Sequence, residues 1–186
     1  SFMDRNVVTP MRSGNFSRVP MGVLLMGPPG TGKTIITEAT AKEAGINSVY
    51  LRLSKILGKY VGDSERNLEK ALDAVVTMTP CLVFIDELDQ QFSRGEENSG
   101  DSGVNSRLFS RVMEFAADTS HRGQVIIVAA TNRPDLLDAA LKRPGRFDKK
   151  GVVLPPGTAA QRSEIVAAMG RKYTCDTSAF VTTDIA

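Results

Sequence analysis

The sequence predicts an α/β fold, a three-layer sandwich in which a five-stranded parallel sheet carries helices on both faces. Short apolar runs alternate along the chain with segments of helical periodicity, an order that is typical of strand–helix–strand units. The runs are apolar at nearly every position instead of every second one, which indicates strands that are buried on both faces.

The first half of the chain contains three predicted strands. Val23 to Met26 is the first, because it is a short apolar run that ends in a Gly/Pro cluster. A helix is predicted over Lys33 to Ala44, and Gly45 suits its C-terminus. Ser48 to Leu53 is predicted as the second strand and Leu82 to Ile85 as the third.

The helix before the third strand is predicted to begin near Asp63 or Ser64 and to end before Pro80, which does not fit a helix interior. Its apolar side chains fall at i, i+3, i+4, i+7 and i+8, so they share one face. They are Leu68, Ala71, Leu72, Val75 and Val76.

The second half of the chain begins with a predicted mobile loop, Ser93 to Gly103, which consists almost entirely of Gly, Ser, Asn, Asp and Glu. The fourth strand is predicted over Val125 to Ala130 and the fifth over Gly151 to Leu154. The helix after the loop is predicted to carry Val104, Leu108, Val112 and Phe115 on its apolar face.

Three regions are predicted along the chain. Residues 1–19 are expected to be an expression scar and a linker, residues 20–157 a large α/β subdomain, and residues 158–186 the beginning of a helical subdomain. Pro155 to Gly157 marks the boundary, and Ala159 to Lys172 has a helical pattern. Too few apolar residues follow to close a second core.

Composition disfavours several classes of function. The chain has 23 basic and 21 acidic residues, and this small excess does not favour a protein that grips nucleic acid through its phosphates. Cys81 and Cys175 form no Cys-x-x-Cys motif and His121 is the only histidine, which disfavours a zinc site, a disulfide framework and a histidine-activated nucleophile. No apolar run approaches the ~18 residues of a membrane helix and no signal pattern is present, so a cytoplasmic protein without a membrane segment is expected.

The strongest motif is the string GPPGTGKT at residues 27–34, which fits the Walker A pattern G-x-x-x-x-G-K-[ST] between a strand and a helix. Its glycines let backbone N–H groups face a polyphosphate, and Lys33 adds a full positive charge. Thr34 is expected to bind Mg²⁺. The predicted nucleotide-binding residues are Gly27, Pro28, Pro29, Gly30, Thr31, Gly32, Lys33, Thr34 and Ile35.

A pair of carboxylates, Asp86 and Glu87, ends the third predicted strand. Asp86 suits a Mg²⁺ site, and Glu87 suits a base that orients and deprotonates a water molecule, as in a Walker B motif. An acidic turn exposed to solvent explains this string equally well when it stands alone. Together with the Walker A motif it indicates nucleotide hydrolysis.

The nucleotide is predicted to be ATP. A dinucleotide-binding turn is rejected, because the third glycine of that fingerprint is missing after Gly30 and Gly32. The Asn-Lys-x-Asp string expected of a guanine site is also absent from the sequence.

Four strings together resemble the AAA subfamily of the AAA+ ATPases over roughly residues 20–170: GPPGTGKT, DE at 86–87, AATNRPD at 129–135 and LKRPGRFD at 141–148. The resemblance implies that Asn132 is a sensor that positions water, and that Arg143 and Arg146 are arginine fingers acting on the ATP of a neighbouring subunit. It also implies a ring, usually a homo-hexamer. From spacing alone, Asn132 could instead cap a turn and the two arginines could lie in a solvated loop.

The string KYVGDSE at residues 59–65 resembles the first pore loop of family members that remodel proteins. The resemblance implies that Lys59, Tyr60 and Val61 contact a threaded polypeptide. Without it, Tyr60 could simply be a packing residue at a strand end. Ser93 to Gly103 occupies the position of the second pore loop, or is a disordered surface loop.

Two departures from the family pattern qualify the resemblance. Ala117 to Thr119 stands where the family usually has an Asp-Gly-Phe intersubunit signal. The helical lid is cut short and the upstream segment that flanks adenine is missing, so the chain is expected to be an excised core of a longer protein.

The predicted function is Mg²⁺-dependent ATP hydrolysis that is coupled to remodelling, unfolding or disassembly of protein substrates. Two alternatives stay open. One is a nucleic-acid remodeller of the wider AAA+ group, which Tyr60 and the small net charge disfavour. The other is a nucleotide-gated scaffold with slow hydrolysis, which the altered signal segment makes possible.

Overall fold

The central sheet has five parallel strands in the order β2-β3-β4-β1-β5. The computed structural model describes residues 1–56, 62–88, 102–136 and 146–174. The predicted α/β fold with a five-stranded parallel sheet is confirmed. The strands are β1 (Gly22–Met26), β2 (Asn47–Tyr50), β3 (Cys81–Ile85), β4 (Val125–Thr131) and β5 (Lys149–Val152).

Five α-helices lie in the described part of the chain, and none of them is long and apolar enough to cross a bilayer. The chain forms two compact units, Ser1–Val153 and Leu154–Ala186. The helices are α1 (Thr9–Arg12), α2 (Lys33–Ala44), α3 (Asp63–Thr77) and α4 (Ser102–Ala117) in the first unit and α5 (Ala159–Tyr173) in the second.

Two cores, one on each face of the sheet, explain the continuous apolar runs of the central strands. Successive side chains of a strand point to opposite faces. In β1, Leu24 joins the core that also contains residues of α3 and α4. Val23 and Leu25 join the other core, with Ala41 of α2 and Val7 near the N-terminus. A strand in this position needs an apolar side chain at every residue.

The helices α2 and α3 begin where the sequence predicts. The apolar stripe of α3 buries Leu68, Leu72 and Val75, whereas Val76 is 38% exposed at the border of the stripe. Helix α5 begins with a capping box, in which Oγ1 of Thr158 accepts from the backbone N–H of Gln161 and Oε1 of Gln161 accepts from the backbone N–H of Thr158.

Both edge strands differ from their predicted bounds. β2 ends at Tyr50, whereas the predicted strand continues to Leu53. A 3₁₀ turn follows at Leu53–Lys55. β5 runs two residues earlier than predicted, and Val152 at its end is 64% exposed. An edge strand has only one neighbour, so its limits are set by local pairing and not by an apolar run.

Two further segments of the described chain differ in part from what the sequence predicts. The predicted loop 93–103 overlaps the first two residues of α4, and its remaining residues lie outside the described part of the chain. The N-terminal segment contains a helical stretch over Asp4–Val8 and α1, whereas a linker is expected there from the sequence. Met3, Val7 and Met11 from this segment are buried in the second core.

The amino end of β1 is held tightly against the chain that leads into β5. The backbone N–H of Met21 donates to Oδ2 of Asp148 at 3.1 Å. A Cβ atom at Gly22 would overlap the carbonyl oxygen of Arg146 and come within 2.9 Å of Cδ1 of Phe147. The glycine therefore permits the close approach that fixes residues 146–148 at this end of the sheet.

We expect Gly22→Ala to lower the free energy of unfolding by about 1–3 kcal/mol, because a backbone carbonyl must move to admit the methyl group. Urea unfolding followed by circular dichroism measures this change. Gly157→Ala is the matched control, since its nearest neighbouring atom is 4.0 Å from the added Cβ. A Gly22→Ala chain as stable as the control would contradict the close approach.

Candidate functional site

A glycine-rich loop joins the end of β1 to the start of α2. Gly32, directly before α2, has a left-handed φ of +88° that favours glycine. A Cβ atom at Gly27 would overlap the carbonyl oxygen of Val153. The backbone N–H of Gly27 donates to the carbonyl oxygen of Thr131 at 3.2 Å. The loop is thus anchored to the carboxyl ends of its two neighbouring strands.

The ammonium group of Lys33 lies at the centre of this loop. It donates to the carbonyl oxygens of Gly27 and Pro28, both at 2.8 Å, and to Oδ1 of Asn132 at 2.7 Å. Lys33 is only 7% exposed, and these bonds offset much of the cost of burying a charge. Because Asn132 directly follows β4, the contact connects the glycine-rich loop to a second strand end.

The carboxylate of Asp86 faces the start of α2. Its Oδ2 lies 3.5 Å from Oγ1 of Thr34, and its Oδ1 accepts from the backbone N–H of Glu87 at 2.9 Å. Glu87 has a φ of +52°, which is uncommon for a residue with a side chain. Such strain is concentrated at functional sites. The side chain of Glu87 is exposed and lines one cleft together with Lys33 and Asp86.

The donor atoms at this position fit Mg²⁺. Thr34 and Asp86 offer a hydroxyl and a carboxylate oxygen, and Mg²⁺ prefers oxygen ligands. Across the described ranges, no group of three or more His, Cys, Asp or Glu side chains could hold a metal on its own. Mg²⁺ is commonly bound through one or two carboxylates together with substrate phosphates, so the residues suit an ion that is shared with a polyphosphate.

These groups line one cleft of about 310 Å³ at the carboxyl ends of β1, β3 and β4. Arg146 lies at the opposite, amino end of β1, where its carbonyl oxygen faces Gly22. Arg143 and the predicted pore-loop residues 59–61 lie outside the described residues. The cleft is lined by Pro29, Gly30, Gly32, Lys33, Thr34, Ile35, Asp86, Glu87 and Asn132.

One further residue reaches the site without having been predicted. The hydroxyl of Tyr50, the last residue of β2, lies 3.2 Å from Oδ2 of Asp86. Burial raises the pKa of Tyr50 and the charge of Asp86 raises it further, while Arg52 lowers it. The phenol therefore stays protonated at neutral pH and donates to the carboxylate. The sequence carries no motif for this contact, which depends on β2 lying beside β3.

Comparisons with known proteins show which family this chain is similar to. Residues 23–153 match the family model described as "ATPase family associated with various cellular activities (AAA)". The chain is 40% identical over 153 residues to the cell division cycle protein 48 homolog of Archaeoglobus fulgidus, covering 82% of this chain and 20% of that protein. It is also 40% identical over 154 residues to the peroxisomal ATPase PEX6 of Arabidopsis thaliana, covering 82% and 16%.

A solved structure shares the fold. The crystal structure of the FIGL-1 AAA domain in complex with ADP superposes with a TM-score of 0.69 at 29% identity, covering 91% of this chain and 56% of that chain. The chain spans at most a fifth of the length of the two curated relatives named above.

The two ends of α2 offer a matched test of the glycine-rich loop. Gly32 and Gly45 both have left-handed φ values, +88° and +71°, and open space around an added Cβ. We expect Gly32→Ala and Gly45→Ala to lower the free energy of unfolding by a similar amount, about 1 kcal/mol, from backbone strain. Only Gly32→Ala should also weaken the binding of ATP, because Gly32 lines the cleft.

Calorimetric titration of both variants with ATP and urea unfolding of the same preparations separate the two effects. Equal loss of ATP binding in both variants would mean that the loop itself does not receive the nucleotide.

Proposed function

This chain belongs to the AAA family of ATPases, and from that premise we propose that it binds ATP with Mg²⁺ in the described cleft, hydrolyses it, and uses the cycle to remodel protein substrates. One observation carries the proposal. A buried lysine, a threonine, two acidic residues and an asparagine from three strand ends converge on a single cleft that follows a glycine-rich loop.

The phosphates of ATP are proposed to lie along residues 27–34. The amino end of α2 lines the cleft, and the partial positive charge at the amino end of a helix favours anions. Lys33 would then exchange some of its bonds to Gly27, Pro28 and Asn132 for bonds to phosphate oxygens. Because Lys33 is nearly buried, its ammonium group stays close to the loop whether it bonds to protein oxygens or to phosphate oxygens.

Thr34 and Asp86 are proposed to hold Mg²⁺ together with the phosphates. When bound, Mg²⁺ would neutralise charge that builds up on the phosphate oxygens during transfer. The chain's own contribution is to present one hydroxyl and one carboxylate side by side, with Oγ1 of Thr34 and Oδ2 of Asp86 3.5 Å apart.

Glu87 is proposed to act as the base. Its carboxylate would accept a proton from a water molecule whose oxygen attacks the γ-phosphorus, while the bond to the departing ADP oxygen breaks. The hydrogen bond between its N–H and Asp86 ties the position of the base to that of the metal-binding carboxylate. Asn132, which follows the neighbouring strand β4 and lines the same cleft, is proposed to orient the water.

Arg146 is proposed to act on the cleft of a neighbouring copy. Its backbone lies beside Gly22, and the four residue steps of β1 from Gly22 to Met26 separate it from the glycine-rich loop by about 13 Å. An arginine held at this end of the sheet cannot complete its own cleft. Arg143 is proposed to act with Arg146, which implies a ring, and by family resemblance a homo-hexamer.

The remodelling activity is proposed on the resemblance of residues 59–65 to a substrate-gripping pore loop. Tyr60 would contact a threaded polypeptide, with Lys59 and Val61 beside it. An aromatic ring suits this role because it supplies contact area without requiring a particular partner sequence.

We expect Glu87→Gln to leave the binding of Mg-ATP within about threefold of its original value and to reduce turnover by a factor on the order of 10²–10⁴, because the amide keeps the shape but cannot accept the proton. Lys33→Ala should lose binding instead. ATP titration and phosphate release on the assembled protein measure both. Normal turnover by Glu87→Gln would remove Glu87 from the proposed role.

Mixing two inactive variants tests whether Arg146 acts between subunits. In a mixed assembly of Arg146→Ala and Glu87→Gln subunits, some interfaces pair an intact Glu87 with an intact Arg146. We therefore expect partial recovery of ATP turnover above that of either variant alone. Differently tagged subunits confirm that mixing has occurred, and mixed assemblies without any recovery would count against an arginine supplied by the neighbour.

A further inference from the structure

We propose that Tyr50 is a positioning residue for Asp86, whose carboxylate it holds in the orientation that binds Mg²⁺. This role would make Tyr50 a determinant of the Mg²⁺ concentration at which the cleft binds nucleotide. The inference rests on the proposed function of the cleft and extends it to a residue outside the nucleotide-binding loop and the acidic pair.

Sheet register explains how Tyr50 reaches Asp86. Tyr50 of β2 is aligned with Phe84 of β3, and aligned residues of neighbouring strands point to the same face. Asp86 follows Phe84 by two residues and so lies on that face as well. A long side chain can reach such a diagonal neighbour. The contact is therefore built into the pairing of β2 with β3.

Both oxygens of the Asp86 carboxylate are held by hydrogen bonds. Oδ2 accepts from the hydroxyl of Tyr50 at 3.2 Å, and Oδ1 accepts from the N–H of Glu87 at 2.9 Å. Oγ1 of Thr34 lies 3.5 Å from the same Oδ2. Bonds at both oxygens restrict rotation of the carboxylate, and such partners commonly tune the affinity of a metal site.

The ring of Tyr50 is fixed independently of its hydroxyl. It packs edge-on against Phe84, with ring centroids 5.2 Å apart and an interplanar angle of 75°. The guanidinium of Arg52 lies 4.7 Å from its centroid. The side chain is 42% exposed, so Tyr50→Phe removes one oxygen atom without opening a cavity in the core, and the ring contacts with Phe84 and Arg52 do not require that atom.

Calorimetric titration of ADP into the chain at a series of Mg²⁺ concentrations tests the proposal. We expect Tyr50→Phe to raise the Mg²⁺ concentration at which ADP binding is half-maximal by about ten- to a hundredfold, the range expected for loss of a partner that orients a metal-binding carboxylate. ADP affinity in EDTA should change less than twofold. Tyr173→Phe, a substitution in the second compact unit, should change neither value.

A second measurement needs neither metal nor nucleotide. Urea unfolding in EDTA is compared for Tyr50→Phe, Asp86→Ala and the double variant, which forms a double-mutant cycle. If Tyr50 holds Asp86, the destabilisation caused by Tyr50→Phe disappears in the Asp86→Ala background. The same destabilisation in both backgrounds would overturn the proposal.

The two measurements separate failure of this inference from failure of the proposed function. An unsubstituted chain that binds no ADP at any Mg²⁺ concentration contradicts the proposed function, and the unfolding cycle still decides whether Tyr50 holds Asp86. If the unsubstituted chain and Tyr50→Phe bind Mg-ADP with the same dependence on Mg²⁺ concentration, the role of Tyr50 is overturned and the proposed function is not. An equal loss of ADP affinity with and without Mg²⁺ also overturns it, because the effect would then not pass through the metal-binding carboxylate.

Discussion

Parallel alignment of β1, β3 and β4 is the constraint on which the candidate site depends. The carboxyl ends of parallel strands meet at one edge of a sheet, and here those ends carry the glycine-rich loop, the acidic pair and Asn132. The alignment is maintained by two cores that bury every residue of β3 and β4. Hydrophobic burial in the sheet therefore determines where the polar groups of the cleft lie.

The cleft also concentrates features that oppose stability. It contains a nearly buried lysine and an acidic residue with a left-handed backbone, and each is unfavourable without compensation. Compensation comes from neighbours: Lys33 has three oxygen acceptors, and the N–H of Glu87 donates to the carboxylate of Asp86. The same hydrogen bonds preorganise the groups that the proposed chemistry requires.

The two ends of the sheet have different proposed roles. The carboxyl end holds the cleft, whereas the amino end holds Arg146 and Asp148 close to Gly22 and Met21. If Arg146 acts on a cleft as proposed, that cleft belongs to a neighbouring copy of the chain. Each subunit would then carry a cleft together with the group that completes its neighbour's cleft, and turnover would depend on assembly.

The sequence by itself determined the succession of strands and helices along the chain from β1 onward, the glycine-rich loop with its lysine, and the acidic pair, because these features depend on local periodicity and on motifs of adjacent residues. Only the tertiary structure decided the limits of β2 and β5, the packing of the N-terminal helical segment, and the contact between Tyr50 and Asp86. Those features arise from pairing between residues far apart in the chain. The order of the strands within the sheet and their register set that pairing, and neither is encoded in a local pattern.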